Sequence, residues 1–122
     1  MQPLISVVDD DHSIRQSLSS LFRSVGLVVG VFSSAEEFLA AGDIDRTACL
    51  ILDVRMPGMG GLELQRRLAR SHPRLPVVFI TAHGSEDEVR ERALKDGAMG
   101  YLTKPLSEET LLGAVQVALG KK

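Results

Sequence analysis

Short apolar runs alternate with stretches of helical spacing along the whole chain. Five runs of mainly apolar residues occur at 4–8, 27–32, 48–52, 76–80 and 100–103. Continuous apolar runs of this length are typical of parallel strands that are buried on both faces. The pattern therefore predicts five buried strands.

Between and after these runs, apolar residues recur at the spacing of a helix. The two clearest sets are Ile14, Leu18, Leu21, Phe22 and Val25, and then Leu111, Ala114, Val115, Ala118 and Leu119. Three further helices are predicted from a Ser34–Glu37 capping box to about Gly42, around Leu64 and Leu68, and from about Ser85 to Asp96. Because parallel crossovers are right-handed, these helices must cover both sheet faces. The predicted fold is a doubly wound α/β domain with a five-stranded parallel sheet.

Composition narrows the class of protein. A chain of 122 residues without a linker or repeat fits one domain, residues 1–122. Its net charge of −2 and lack of a basic stripe argue against direct contact with nucleic acid. One cysteine cannot form an internal disulfide, the N-terminus lacks the pattern of a signal peptide, and no apolar run is long enough to span a bilayer. We therefore expect a cytoplasmic domain with no membrane contact.

Chemically active side chains follow four of the five predicted strands. Ligands of doubly wound sheets bind outside the carboxyl ends of the strands, so these positions are the candidates for a site. They are Asp9, Asp10 and Asp11 after the first strand, Asp53 after the third, Thr81 after the fourth and Lys104 after the fifth. Acids, a hydroxyl group and an ammonium group are thus expected at one edge of the sheet.

This set of groups suits phosphoryl transfer to a carboxylate. Clustered carboxylates need a hard cation, and Mg²⁺ (or Mn²⁺) binds one or two carboxylates while keeping water ligands. A metal ion, Lys104 and Thr81 would together stabilise the negative charge of a phosphoryl group in transfer. Asp53 is the expected nucleophile because it ends the central strand and precedes a glycine-rich loop, 55–61, which we expect to be flexible. Cys49 is expected in the core, and His83 in a loop.

Four segments of the sequence resemble the receiver domains of bacterial two-component response regulators. They are VVDDD (7–11), LDVRMPGMGGLE (52–63), ITAH (80–83) and GAMGYLTKP (97–105). The resemblance covers essentially the whole chain and is greatest for the nitrogen-fixation and LuxR-type transcription factor branch. It implies the flavodoxin-like strand order 2-1-3-4-5.

The resemblance also implies roles for individual residues. Asp53 would accept a phosphoryl group from a phosphohistidine of a sensor histidine kinase, and Lys104 would pair with the phosphate. The metal would be bound by Asp10, Asp53 and the backbone carbonyl of Arg55, with Asp9 acting through water. The Lys104–Pro105 peptide bond would be cis. Such a domain promotes only its own phosphorylation and dephosphorylation.

The output of such a domain is a change in one surface. The resemblance makes Thr81 the switch hydroxyl and Tyr101 the switch aromatic, so phosphorylation would reshape the fourth helix, the fifth strand and the start of the last helix. We expect this face to form a homodimer on phosphorylation and to control an output, transcription, through a domain that this chain lacks. The charged residues assigned to the face are Arg90, Arg92, Lys95, Asp96, Glu108 and Glu109.

Three alternatives remain open. A haloacid-dehalogenase-like phosphatase would use Asp9 as its nucleophile, but it would leave Asp53, Thr81 and Lys104 without roles. A nucleotide- or flavin-binding module would need a Gly- or Thr-rich phosphate loop after the first strand, where this chain has three aspartates. A receiver-like domain that only binds partners would normally lack one of the acid, hydroxyl or lysine positions.

Overall fold

The computed structural model describes residues 3–41, 43–82 and 87–120. Within them, strands and helices alternate. The strands are β1 (Leu4–Val8), β2 (Val28–Phe32), β3 (Thr47–Asp53), β4 (Val77–Thr81) and β5 (Gly100–Thr103). The helices are α1 (His12–Ser24), α2 (Ala35–Ala41), α3 (Gly61–Ser71), α4 (Asp87–Lys95) and α5 (Glu108–Gly120). None of the described helices is long and apolar enough to cross a membrane.

The strands form one parallel sheet in the order β2-β1-β3-β4-β5. This is the order that the resemblance implied. From β1 the chain goes to β2 on one side and then to β3 on the other, so the direction of winding reverses between β1 and β3. The carboxyl ends of β1 and β3 therefore flank the crevice in which such folds bind their ligands.

Two apolar layers hold the helices against the sheet. On one face α2, α3 and α4 contribute Phe38, Leu64, Leu68 and Ala93, which pack with Val8, Leu50, Leu52 and Phe79. On the other face α1 and α5 contribute Leu18, Phe22, Leu111, Val115 and Ala118, which pack with Ile5, Val7, Ile51, Val78 and Ile80. Cys49 lies in this second layer, where burial raises the pKa of its thiol to about 12. Burial on both faces explains the continuous apolar sequences of β1, β3 and β4. The edge strands β2 and β5 are only partly buried, so the prediction of five buried strands was wrong for these two.

The structure confirms the predicted elements and moves some of their ends. Asp53 and Thr81 are the last residues of β3 and β4, not the first residues of loops, because the strand pairing continues to Asp53 opposite Ile80 and Thr81 opposite Thr103. Three residues used in the predictions, Gly42, His83 and Ser85, lie outside the described residues.

The predicted capping box of α2 forms only in part. The Glu37 N–H donates to Ser34 Oγ at 3.0 Å, as expected. However, Glu37 Oε1 accepts the backbone N–H and the hydroxyl of Ser33, at 2.6 and 3.0 Å, and not the N–H of Ser34. Ser33 offers two donors to the same carboxylate, which favours this arrangement over the usual reciprocal bond.

Candidate functional site

Asp9 is fixed directly after β1. Its backbone N–H donates to the Phe32 carbonyl at 3.1 Å, and its own carbonyl accepts a 2.8 Å bond from Arg15 Nη1. The side chain is fully buried, and its Oδ1 accepts the Asp11 N–H at 2.8 Å. Asp11 in turn begins α1, because its carboxylate accepts the N–H of Ser13 at 2.8 Å. The first loop is therefore held rigidly around one buried carboxylate.

Lys104 reaches this pocket from the end of β5. Its Nζ lies 3.0 Å from Asp9 Oδ2 and 3.9 Å from Asp53 Oδ2. The backbone N–H of Lys104 donates to the Thr81 carbonyl at 2.7 Å, which extends the pairing of β4 with β5 by one residue. The peptide bond from Lys104 to Pro105 is cis, as the resemblance implied. One ammonium group is thus placed between carboxylates from two strands.

Three carboxylates converge at the carboxyl ends of β1 and β3. Asp9, Asp10 and Asp53 each place an oxygen within 4.8 Å of the other two. Asp9 and Asp53 are buried, whereas Asp10 is exposed. The structure therefore brings together three of the four acids that the sequence placed at this edge, with Asp10 open to solvent, whereas Asp11 caps α1.

Burial of Asp53 among other carboxylates raises its pKa to about 7. Burial is the largest cause, and repulsion from Asp9 adds to it, with a smaller effect from Asp10. Lys104 and a hydrogen bond from the Arg55 backbone act in the opposite direction without cancelling the increase. The positive charge beside Asp53 is therefore too small to offset its burial and its acidic neighbours.

The cluster fits a hard divalent cation. Three carboxylates face one ammonium group, so one cation does not balance them. In the part of the chain that the structure describes, Asp9 Oδ2 accepts no well-aligned hydrogen bond, although it is completely buried and ion-paired with Lys104. Oxygen ligands with one exposed member match the preference of Mg²⁺ for a partly hydrated site. The acidic pocket could thus bind a metal ion.

Thr81 and Tyr101 occupy the neighbouring strands. Thr81 is buried at the end of β4, one residue beyond Ile80, which pairs with Asp53. Tyr101 lies opposite Phe79, and their ring centroids are 6.2 Å apart. The tyrosine is half-buried on β5, at the edge of the sheet. Thr81 is thus next to the acidic pocket, whereas Tyr101 lies one strand further out.

The loop after β3 uses its glycines for specific backbone geometry. Gly58 has a φ of 76°, in the left-handed region that favours glycine. Gly61 packs so tightly that a Cβ atom there would lie 2.2 Å from the Asp53 carbonyl oxygen. The Gly61 N–H also donates to the Val54 carbonyl at 2.9 Å. The expected flexible loop is instead closed on itself, because its two ends are hydrogen-bonded together.

The residues assigned to the switch face do not all lie on one side of α4. Arg92, Lys95 and Asp96 line a groove with Arg66 of α3, and Arg66 Nε lies 3.3 Å from Asp96 Oδ2. The mixed-charge face that the sequence suggested is therefore split between two sides of α4. The sequence did not predict this, because a mostly polar helix gives little indication of which side packs against which neighbour. Leu94 is 40% exposed and lies one turn from Arg90 on the other flank of the buried Ala93.

Two residues near the site were not found from the sequence. Arg15 contacts the Asp9 carbonyl from α1, and Glu36 of α2 accepts the Met59 N–H at 2.9 Å. Arg15 is one of several polar residues on α1, so nothing in the sequence distinguishes it. Glu36 and Met59 are 23 residues apart, and their contact depends on how α2 docks.

The fold and the pocket define a doubly wound domain with an acidic, lysine-paired site at its switch point. The family of response regulator receiver domains matches residues 5–116. The chain therefore belongs to the response regulator receiver domain family. It is a signalling domain of two-component systems, in which receiver domains work with sensor kinases.

Individual relatives include regulators of transcription. Nodulation protein W of Bradyrhizobium diazoefficiens is 49% identical over 94% of this chain and 50% of its own length. The transcriptional regulatory protein FixJ of Azorhizobium caulinodans is 41% identical over 96% of this chain and 55% of its own length. A solved receiver protein from Burkholderia phymatum is 44% identical, with a TM-score of 0.83, covering 99% of this chain and 98% of that one. The chain thus spans about half the length of the curated relatives it matches.

The phosphatase alternative is not supported. Its nucleophile would be Asp9, but this side chain is completely buried and ion-paired with Lys104. The family match also points away from that class.

Proposed function

We propose that Asp53 accepts a phosphoryl group from a phosphohistidine of a sensor histidine kinase. A carboxylate oxygen of Asp53 attacks phosphorus, the phosphorus–nitrogen bond breaks, and the imidazole leaves as the phosphoryl group becomes an acyl phosphate. The observation that carries this proposal is the position of Lys104 Nζ, 3.0 Å from Asp9 and 3.9 Å from Asp53. A cation at this position would stabilise the negative charge that gathers on the equatorial phosphoryl oxygens.

The proposed metal is Mg²⁺ or Mn²⁺, bound by Asp10, Asp53 and the Arg55 carbonyl, with Asp9 acting through water. Bound metal would neutralise part of the carboxylate charge and of the incoming phosphoryl charge. The exposed Asp10 leaves this side of the cluster open to solvent and to a phosphodonor. Asp9 keeps Lys104 oriented through their ion pair, and Lys104 then pairs with the phosphoryl group.

The proposed switch starts at Thr81. A phosphoryl group on Asp53 adds roughly −1.5 to −2 charge and three acceptor oxygens. The Thr81 hydroxyl, at the end of the adjacent strand, would move to donate to it. Tyr101 would then turn inward on β5 and alter the surface formed by α4, β5 and α5. We infer from the relatives that this surface controls transcription through another part of the whole protein.

Intact mass measures the central claim. The protein is incubated with a small acyl phosphate, such as acetyl phosphate, and Mg²⁺. The wild-type protein should gain one phosphoryl mass, and Asp53→Asn should gain none. Asp11→Asn is the matched control, because it removes the same charge from the same edge and keeps an amide oxygen for the α1 cap. Incorporation into Asp53→Asn at the wild-type rate would refute the assignment.

Dimerisation on phosphorylation has its own test. Leu94 is an exposed apolar residue on the α4 flank away from α3, and such a residue suits a self-pairing face. Sedimentation with Mg²⁺ and beryllium fluoride, a phosphoryl mimic, should show a dimer that Leu94→Lys prevents. Val25→Lys, a similar change at an exposed residue after α1, should leave the dimer intact. A monomer under every condition would disprove the dimer and leave the phosphoacceptor assignment standing.

A further inference from the structure

Glu36 links α2 to the loop that follows Asp53. It stands in the first turn of α2, and its Oε2 accepts the backbone N–H of Met59 at 2.9 Å. This bond is the main reason that the pKa of Glu36 is lowered from its ordinary value. Met59 lies in the middle of the loop, where its half-buried side chain packs against the core. A charged acceptor from another element thus holds the middle of the loop.

The backbone of Gly58 is shaped around the same carboxylate. A Cβ atom on Gly58 would lie 2.6 Å from Glu36 Oε2, closer than van der Waals contact allows. The φ of 76° at Gly58 turns the next N–H, that of Met59, toward Glu36. Two adjacent residues therefore fit one carboxylate, one by a hydrogen bond and the other by the absence of a side chain.

The same loop forms one wall of the candidate site. At its start, the backbone of Arg55 hydrogen-bonds to the Asp53 carboxylate. At its end, the Gly61 N–H donates to the Val54 carbonyl at 2.9 Å. Glu36 holds the middle, so the loop is fixed at three points. Its backbone includes the Arg55 carbonyl that we assign to the metal.

We propose that Glu36 is a positioning residue for metal binding and phosphoryl lifetime at Asp53. The inference rests on the proposed function and adds a residue from α2 that touches none of the reacting groups. Groups that orient a metal ligand commonly affect metal affinity, because the ligand must otherwise be ordered on binding. Without the Glu36 bond, the segment from Arg55 to Gly60 gains freedom. Mg²⁺ binding is then weaker, because part of its binding free energy is used to order this segment.

The experiment compares four proteins: wild type, Glu36→Ala, Glu36→Gln and Glu37→Gln. Mg²⁺ affinity is measured by calorimetry, and the decay of the phosphoryl group by intact mass after the donor is removed. Glutamine at position 36 keeps an oxygen acceptor for the Met59 N–H. Glu37→Gln removes one charge from the same turn of α2, where Glu37 contacts Ser33 instead of the loop. Thermal midpoints of all four proteins report whether the fold is intact.

We expect Glu36→Ala to weaken Mg²⁺ binding by roughly 3- to 10-fold and to change the phosphoryl lifetime. Glu36→Gln and Glu37→Gln should stay within about twofold of wild type. The inference is overturned if Glu36→Ala binds Mg²⁺ as tightly, and keeps its phosphoryl group as long, as a wild-type protein that does both. It is also overturned if both glutamine variants lose as much Mg²⁺ affinity as Glu36→Ala, which would indicate a charge effect. A wild-type protein that neither binds Mg²⁺ nor accepts phosphate would overturn the proposed function itself, and this inference with it.

Discussion

The two ends of β1 and β3 bury polar groups in opposite ways. Toward the amino end, Ser6 Oγ lies 2.8 Å from Thr47 Oγ1, and the Thr47 hydroxyl donates to the Asp43 carbonyl at 2.8 Å. Because Thr47 uses its proton there, Ser6 donates to Thr47, and these buried neutral groups satisfy one another. At the carboxyl end, Asp9 and Asp53 are buried acids with too little positive charge beside them.

This comparison separates stability from function within the same two strands. A satisfied neutral pair adds modestly to the free energy of unfolding. Crowded carboxylates reduce it, unless a cation or a proton joins them. The carboxyl end therefore destabilises the metal-free fold, and relief of this repulsion would favour binding of the cation that the proposed phosphoryl transfer uses.

The largest expected effect is that of removing the charge of Asp53. Folding raises its pKa to about 7, from about 3.9 in an unfolded chain. The neutral carboxyl thus contributes stability that is fully present below about pH 4 and is lost as the pH rises through about 7. In EDTA, Asp53→Asn should exceed wild type in unfolding free energy by up to about 4 kcal/mol at pH 8, with a smaller difference at pH 5.

Urea denaturation at the two pH values measures this difference. Asp43→Asn, which removes an exposed carboxylate that pairs with Arg46 near the other end of β3, is the control for the loss of a charge that is not buried. An Asp53→Asn gain that is equal at pH 5 and pH 8 would show that the ionisation of Asp53 is not its cause.

Removing the ammonium group of Lys104 should destabilise the carboxyl end of β1 and β3 further. Lys104→Met leaves Asp9 buried without its ion-pair partner, and breaking such a pair is expensive. We expect a loss of about 3 kcal/mol in unfolding free energy at pH 8, measured in urea without metal. Lys95→Met, on the surface of α4, should change it by less than about 0.5 kcal/mol. Equal losses in the two variants would contradict the importance of the buried pair.

Bound metal should offset the repulsion between carboxylates at the carboxyl end and so stabilise the fold. If Mg²⁺ binds the native acids and not the unfolded chain, a concentration about 100 times its Kd should stabilise the fold by about 2.7 kcal/mol. Asp10→Ala should lose most of this stabilisation, whereas Ser6→Ala should retain it. Thermal unfolding at a series of Mg²⁺ concentrations provides the measurement, and identical metal-induced shifts in Asp10→Ala and wild type would refute the site.

The smallest effect is expected at the amino end. Ser6→Ala removes one donor to Thr47, which still donates to the Asp43 carbonyl. The unfolding free energy should fall by about 1 kcal/mol, and the rate of phosphorylation by acetyl phosphate should not change. A change in that rate would mean that the two ends of these strands are not independent.

The fold could be predicted from the sequence because strands buried on both faces of a parallel sheet have continuous apolar sequences. Continuous apolar runs marked β1, β3 and β4, and the i, i+3, i+4 spacing marked α1 and α5. Topology then required that the residues after each strand meet at one edge. For that reason the sequence alone predicts that Asp9, Asp53 and Lys104 lie together.

Contacts that depend on how helices pack against the rest of the fold could not be predicted from the sequence. The bond of Glu36 to Met59 requires the position of α2 against the β3–α3 loop, and local sequence does not contain it. The flank of α4 that faces α3 was ambiguous because most of that helix is polar. Gly58 and Gly61 suggested a flexible loop, since composition does not distinguish a glycine that loosens the backbone from one that permits a close approach.

Tyr101 gives this protein an optical property. The chain has one tyrosine and no tryptophan, so its intrinsic ultraviolet fluorescence comes almost entirely from this ring. The ring is half-buried beside Phe79 on the edge strand β5. A change in its emission therefore reports mainly on that strand, without a label and without interference from a tryptophan or a second tyrosine. The unaltered protein thus has a built-in probe of the strand that we place in the switch.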